Sequence, residues 1–343
     1  MSVLDVTMAC VPTDRSRPIL DGSIAIPGMR ITALPGEPEE IFRRALREEA
    51  FDITEMSMSS HITVTARGET AYVAIPVFPS RAFRHSGIFV RTDRGINAPA
   101  DLKGKRIGIP EYQQTAILWL RGMLRDEHGI GVRDVEWLTG GVNEPLPGER
   151  IPITLPPGIR VTSIGPQRTL DELLRTGEID AVMSTRVPMC FGAPDGKVAR
   201  LFPDYRAIEA QYFKRTGFFP IMHTIAVRRR LAEQYPELPA NLFRAFHAAR
   251  DQAITELGMV NAFRVALPWP AAVLDDARAV LGADFWPYGF RRCQSELATM
   301  TRYAHEDGLT ARRVAPEELF HASTLELTAE PGRQDRSINH RSE

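Results

Sequence analysis

The chain is predicted to fold as an α/β protein in two lobes, and three observations carry that expectation. Short apolar, β-branched runs alternate with stretches of helical period, the pattern of parallel sheets covered by helices. At 343 residues the chain is long for a single core. Its chemically varied polar turns fall at strand ends, where ligands bind in sheets of this kind.

Each element follows from local pattern. Residues 3–10 are mostly apolar and read as a buried strand, closed by the polar run PTDRSRP. EPEEIFRRALREEA is a helix with Pro38 in its first turn, Glu39 and Glu40 at the positive end of its dipole, and an apolar face of Ile41, Phe42, Ala45 and Leu46. FDITEMSMSSHITVTARG gives a strand to about Glu55, a serine-rich turn and a helix, and YVAIPVF and GIFVRT are two further strands. After the surface turn INAPADLKGK come the strand and helix of KRIGIPEYQQTAILWLRGML, with Gly129 as the helix C-cap. RDVEWLTGG is a strand, residues 143–158 a loop rich in proline and glycine, and RVTSIG another strand. Thr169 and Glu172 form a capping box for the helix that ends near Gly177, and the strand IDAVMS follows. After a strand at IMHTIAVRR the pattern turns helical through NLFRAFHAARDQAITEL, AAVLDDARAVL and RRCQSELATMTRYAHEDGL. The expected division is lobe one from residues 1–92 plus 222–323, lobe two from 93–221, and a loose polar tail at 324–343, with closure pivoting near IFVRT and MHTIA.

Bulk properties narrow the function. A net charge of -1 suggests neither nucleic acid nor an acidic membrane surface as partner. The three cysteines, Cys10, Cys190 and Cys293, are widely separated and lack metal-ligand spacing, as in a reduced cytoplasmic protein. The start lacks a basic segment followed by an apolar one, and no stretch is long and apolar enough to span a bilayer, so the expected location is the cytoplasm. The eight histidines are dispersed, and Walker, Gly-x-Gly-x-x-Gly and Gly-x-Ser-x-Gly motifs are missing. Neither a nucleotide cofactor nor a zinc motif of the His-Glu-x-x-His kind is expected, which leaves open a metal assembled from distant residues, and the helical C-terminal region offers a surface for a homo-oligomer.

Five polar clusters remain as candidates, each with a bland alternative. TDRSRP places Asp14, Arg15 and Arg17 after the first strand, where exposed arginines are usually only solvated. EMSMSS offers Ser57 and Ser59, which more often cap a helix than bind a ligand. FRHS brings Arg84 and His85 before a strand, as a basic surface loop or as the rim of an anion-binding cleft. PEYQQTA holds Glu111, Tyr112, Gln113 and Thr115 at a helix start, whose free amides attract anions but whose side chains can equally cap the helix. MSTRVP supplies Arg186, and His223 sits in the strand at IMHTIAVRR, where a lone histidine is usually a core residue.

The segments DLKGKRIGIPEYQQTA and LLRTGEIDAVMSTRVP, with a returning strand near His223, resemble type 2 periplasmic-binding-protein folds. A more extensive likeness covers most of the chain: TDRSRPILDG, FRHSGIFVRTDRGI, GIPEYQQTAILWLRGMLRDEHGI, VEWLTGG, LFPDY, RTGFFPIMHTIAVRR, LPW and WPYG together resemble the 4,5-dihydroxyphthalate decarboxylase family. The resemblance implies a two-lobed fold with the ligand cleft between its lobes. It implies non-oxidative loss of CO2 from a small aromatic dicarboxylate, giving 3,4-dihydroxybenzoate, without an organic cofactor. Under it, Arg84, Arg17, Gln113 and Thr115 hold the retained carboxylate, with Arg15, Ser57, Ser59 and Arg186 also at the cleft. His85 is favoured over His223 as proton donor, and Glu111 or Tyr112 orients the phenols. The competing expectation is a solute-binding protein or sensor that holds a small aromatic anion without turnover.

Overall fold

The computed structural model describes residues 3–146 and 148–328. The chain passes through four strands, β1 (Leu4–Cys10), β2 (Met29–Pro35), β3 (Ile53–Ser57) and β4 (Tyr72–Arg81). It continues through β5 (Ile88–Arg91), β6 (Arg106–Ile109), β7 (Glu136–Thr139), β8 (Arg160–Ser163), β9 (Ala181–Met183) and β10 (Val198–Arg200), then returns in β11 (Ile221–Arg228). Two sheets result, ordered β2-β1-β3-β11-β4 and β10-β5-β9-β6-β7-β8. β1 runs parallel to β2 and β3, while β11 inserts antiparallel between β3 and β4. In the second sheet β6 is parallel to β7 and β9, and β5 is antiparallel to β9 and β10.

The insertion of β11 places the site. Its register sets His223 opposite Ser57 at the end of β3 and Ser80 near the end of β4. β5 pairs only with strands of the second sheet, so the chain enters that sheet at Ile88, ahead of the boundary at 92 expected from sequence. β2 is an addition to the strands expected from sequence: it lies at the sheet edge and none of its side chains is fully buried, so it carries no apolar run.

The helices are α1 (Arg17–Leu20), α2 (Pro38–Glu48), α3 (Met58–Arg67), α4 (Thr115–His128), α5 (Leu170–Thr176), α6 (Tyr205–Thr216), α7 (Arg229–Gln234), α8 (Leu238–Leu257), α9 (Pro270–Leu281) and α10 (Phe290–Glu306). α5 opens on Thr169, whose side chain accepts from the amide of Glu172, half of the capping box expected there. α4 is the buried centre of the molecule, with every residue from Thr115 to Leu124 shielded from solvent. It meets α10 closely: a Cβ on Gly122 would stand 2.1 Å from the ring of Tyr303, so only glycine permits that approach. Trp119 donates to the carbonyl of Ile221 at 2.9 Å, and Arg121 pairs with Asp307 at 2.7 Å in full burial. These contacts fix where the N-terminus of α4 points.

Among the described residues no helix is long and apolar enough to cross a membrane. The tail expected from 324 lies outside the described residues from 329 onward, and Thr324 itself is buried.

Candidate active site

The ends of β3 and β11 bring together a carboxylate and an imidazole. Glu55 is buried, and its Oε1 lies 2.6 Å from Nδ1 of His223. Its Oε2 accepts from the amide of Val11 at 2.9 Å and from the thiol of Cys10 at 3.1 Å. Burial pushes the carboxyl upward, but the hydrogen bond and charge of His223, with the Val11 amide and Cys10 thiol, bring it below the usual range. Glu55 is therefore ionised at neutral pH and fixes the ring through Nδ1. Among the described residues Nε2 of His223 has no protein partner. The ring edge rests on Phe42 of α2, with centroids 4.8 Å apart.

His223 lines a cleft of about 240 Å³ together with Pro38, Glu39 and Phe42 from the start of α2, Ser57, Ser80, Arg84, Gln114, Thr115, Arg150 and Thr185. Three helix starts, those of α2, α3 and α4, converge there. The hydroxyls of Ser57 and Thr115 lie 2.8 Å apart, and Thr115 Oγ1 also accepts from the amide of Ser59 at 3.0 Å. Gln114 is the N-cap of α4 and makes no side-chain cap, and the first helical bond runs from the Leu118 amide to the Gln114 carbonyl. The amides of residues 115–117 thus have no carbonyl within the helix to reach. Capping by Glu111 or Thr115, the bland alternative for this turn, does not occur.

Two arginines face the cleft, and they differ in company. Arg84 is largely enclosed, its guanidinium makes no hydrogen bond to protein among the described residues, and its Nε is buried and unpaired. Desolvation lowers its pKa to about 10, against the opposing pull of Glu209, so it remains cationic at neutral pH. Arg150 is held instead by Glu111, which accepts from its Nε at 2.9 Å, from an Nη, and from its amide at 2.7 Å. Among the described residues its Nη1 has no partner, and its guanidinium stands 5.3 Å over the ring of Phe42, the ring on which His223 rests. Arg150 is absent from the sequence candidates because it lies in the loop 143–158, where one arginine carries no periodic or motif signal. That loop is tied across to α2 and α3: Arg47 donates to the carbonyls of Glu149 and Arg150 at 3.0 and 2.8 Å, and Arg67 to that of Pro152 at 2.7 Å.

The other sequence candidates are dispersed. His85 does not line the cleft; it is buried between Phe202 and Tyr212, 3.6 Å from Glu209, with neither ring nitrogen hydrogen-bonded. Tyr112 faces the core, donating to the Asp307 carbonyl at 2.9 Å beneath the guanidinium of Arg121. Gln113 is buried between Ser60 and Glu111. The amides of Tyr112 and Gln113 are occupied by a carboxylate of the protein itself, Glu149, whose pKa is raised to about 7 by burial and by the charge of Glu111. Ser59 sits behind Thr115. Arg15 stacks on Trp286 at 4.2 Å and donates to Pro79, and Arg17 lines a separate depression with Asp14, Asp21 and Glu256. Arg186 is exposed, 3.6 Å from Glu39, at the mouth of an adjoining cavity of about 410 Å³ that shares Glu39, Gln114 and Thr185 with the cleft.

Two sheets, a strand returned from one to the other and a polar cleft between helix starts define a periplasmic-binding-protein fold. The family described as "ABC transporter, phosphonate, periplasmic substrate-binding protein" matches residues 23–141. The aliphatic sulphonate binding protein of Escherichia coli superposes with a TM-score of 0.50 at 15% identity, covering 98% of this chain and 99% of that one. A protein from Bordetella bronchiseptica gives 0.53 at 17% identity, over 92% and 94% of the two chains. At these identities the likeness is one of fold. The 4,5-dihydroxyphthalate decarboxylase of Comamonas testosteroni is 45% identical over 326 residues, 95% of this chain and 99% of its own length. That of Pseudomonas putida is 42% identical over 218 residues, 64% of this chain and 84% of its own. The chain belongs to the 4,5-dihydroxyphthalate decarboxylase family.

Proposed function

We propose that the protein is a carboxy-lyase that converts 4,5-dihydroxyphthalate to 3,4-dihydroxybenzoate and CO2 in the cytoplasm. The observation that carries this reading is His223, held at Nδ1 by the ionised Glu55 and open at Nε2 toward a cleft lined by Arg84 and Arg150. The substrate is a small planar dianion. Two guanidinium groups and the start of α4 supply its electrostatic complement.

The ring supplies the electrons. The phenol oxygen para to one carboxylate pushes density onto the carbon that bears it, and that carbon takes a proton from His223 Nε2. The bond from this carbon to the carboxylate then breaks, its pair restores the aromatic ring, and CO2 leaves uncharged. A proton from solvent restores the imidazolium, so one proton is consumed per turnover. Glu55 keeps the ring in one orientation and stabilises its charge as the acid, as a carboxylate behind a catalytic histidine does. The geometry supports His223 over His85 as donor, because His85 does not line the cleft and is buried against Phe202 and Tyr212.

Following CO2 release from 4,5-dihydroxyphthalate tests the reading. His223→Ala is expected to lower kcat on the order of 100- to 10,000-fold, the usual worth of a general acid, while His85→Ala retains most of its turnover. Near-native turnover in His223→Ala would remove His223 from this role. Tight binding of the dianion by the wild type with no CO2 release would favour a solute-binding protein.

A further inference from the structure

4,5-Dihydroxyphthalate is symmetric, with equivalent carboxylates each para to a hydroxyl, so the site must decide which one departs. We propose that the unequal pairing of two arginines makes this choice: Arg84 holds the carboxylate that stays, and Arg150, already paired with Glu111, seats the carboxylate that leaves. The inference rests on the decarboxylase reading above and deepens it.

Position supports the assignment first. The carbon to be protonated must lie beside His223. Phe42 is a shared neighbour of His223, at 4.8 Å between centroids, and of the Arg150 guanidinium, at 5.3 Å. Arg84 also lines a second, small depression with His85, Trp119, Leu120, Met123 and Tyr212, to which neither Phe42 nor His223 contributes.

Charge supports it second. Among the described residues the Arg84 guanidinium has no protein acceptor, and the carboxylate acting on it, Glu209, lies beyond ion-pair contact. A substrate carboxylate is the partner this guanidinium lacks, and their charge-assisted bonds form in a largely dry setting. Arg150 is different, since Glu111 takes its Nε, an Nη and its amide and leaves Nη1 for a ligand. Its charge is spent on Glu111. Nη1 can orient the second carboxylate without strongly stabilising it. That suits a group which enters as an anion and leaves as neutral CO2, because ground-state stabilisation of its charge would raise the barrier. Glu111 then acts as a positioning residue: it aims Arg150 and limits its grip.

Binding and turnover separate these roles. The product, 3,4-dihydroxybenzoate, keeps only the retained carboxylate, and phthalate is a dianion whose ring lacks the hydroxyl needed to drive decarboxylation. By calorimetry, Arg84→Met should weaken product binding about tenfold to a hundredfold, as expected for lost charged hydrogen bonds. Arg150→Met should leave product binding unchanged while weakening phthalate. In turnover of 4,5-dihydroxyphthalate, Glu111→Gln should lower KM and kcat together, the signature of a leaving group held too well. A merely structural role for Glu111 predicts a raised KM or a lower melting temperature instead. Equal loss of product affinity in Arg84→Met and Arg150→Met would overturn the assignment, as would Glu111→Gln with KM raised and kcat unchanged. Should Glu111→Gln fail to fold, the comparison of product with phthalate still decides between the two arginines. Failure of the wild type to release CO2 would sink the decarboxylase reading and this inference with it. Turnover by the wild type with the wrong pattern in the variants would sink this inference alone.

Discussion

Arg81 and Arg84 stand three residues apart in one segment, and their surroundings are opposite. Arg81, at the end of β4, is buried and engaged: it donates to Glu296 at 3.0 Å, to the carbonyls of Phe219 and Pro287 at 2.6 and 3.0 Å, and to the Cys293 sulfur at 3.1 Å. The other oxygen of Glu296 accepts from the amide of Ile221 at 2.7 Å. This node staples the point where the chain leaves the first sheet to the point where β11 re-enters it. Arg84 is only partly shielded, and among the described residues its guanidinium has no such company. A buried guanidinium with its acceptors in place supports the fold, and one without them is a binding group held ready at some cost in stability.

Three measurements test that contrast, from the largest expected effect to the smallest. Glu296→Ala leaves Arg81 charged and unpaired in the core, and urea unfolding should show a loss of about 3–5 kcal/mol. A loss below about 1 kcal/mol, the level of a surface ion pair, would break the comparison at its structural end. Arg84→Met should behave in the reverse sense, leaving stability unchanged or slightly raised while weakening dianion binding by about 1.5–3 kcal/mol. A large fall in melting temperature would show that Arg84 supports the fold after all.

The smallest effect concerns Glu149, a half-buried carboxyl that accepts from the amides of Tyr112 and Gln113. Its pKa in the folded protein, about 7, lies above the ordinary 4.5. The folded state therefore holds this proton more tightly than the unfolded chain does. The resulting stability is fully present below about pH 4.5 and is lost as pH rises through about 7. Glu149→Gln fixes the neutral form, so its melting temperature should fall less than that of the wild type between about pH 5 and pH 8. Identical slopes would mean that Glu149 does not titrate in this window.

Much of the framework is legible in the order of the amino acids. The strands at 72–78 and 221–229 are apolar runs of β-branched residues, and α2 and α5 carry proline or threonine at their starts, so local pattern and tertiary environment agree there. α6 gives no such signal because Tyr212 is its only buried residue, which leaves no apolar stripe to see. The polar turns at strand ends locate the cleft, and Ser57, Arg84, Thr115 and His223 all line it. What sequence does not carry is pairing across distance. Glu55 and His223 are 168 residues apart, and Glu111 and Arg150 are 39 apart. In FRHS the histidine beside the arginine reads as better placed than His223, yet successive residues in that turn face different sides.

The three bonds from Arg47 and Arg67 to the loop of Arg150 span the two sheets, and they bear on timing. Any motion that parts the sheets enough to admit a planar aromatic ring must stretch or break them, and it carries Arg150 away from Phe42 and His223 as it does so. If the sheets part to admit substrate, the catalytic arrangement is assembled anew in each cycle. Arg47→Ala, remote from every reacting atom, would then act on how long the closed form lasts, making the dwell time of the product a property of the loop anchor as much as of the cleft.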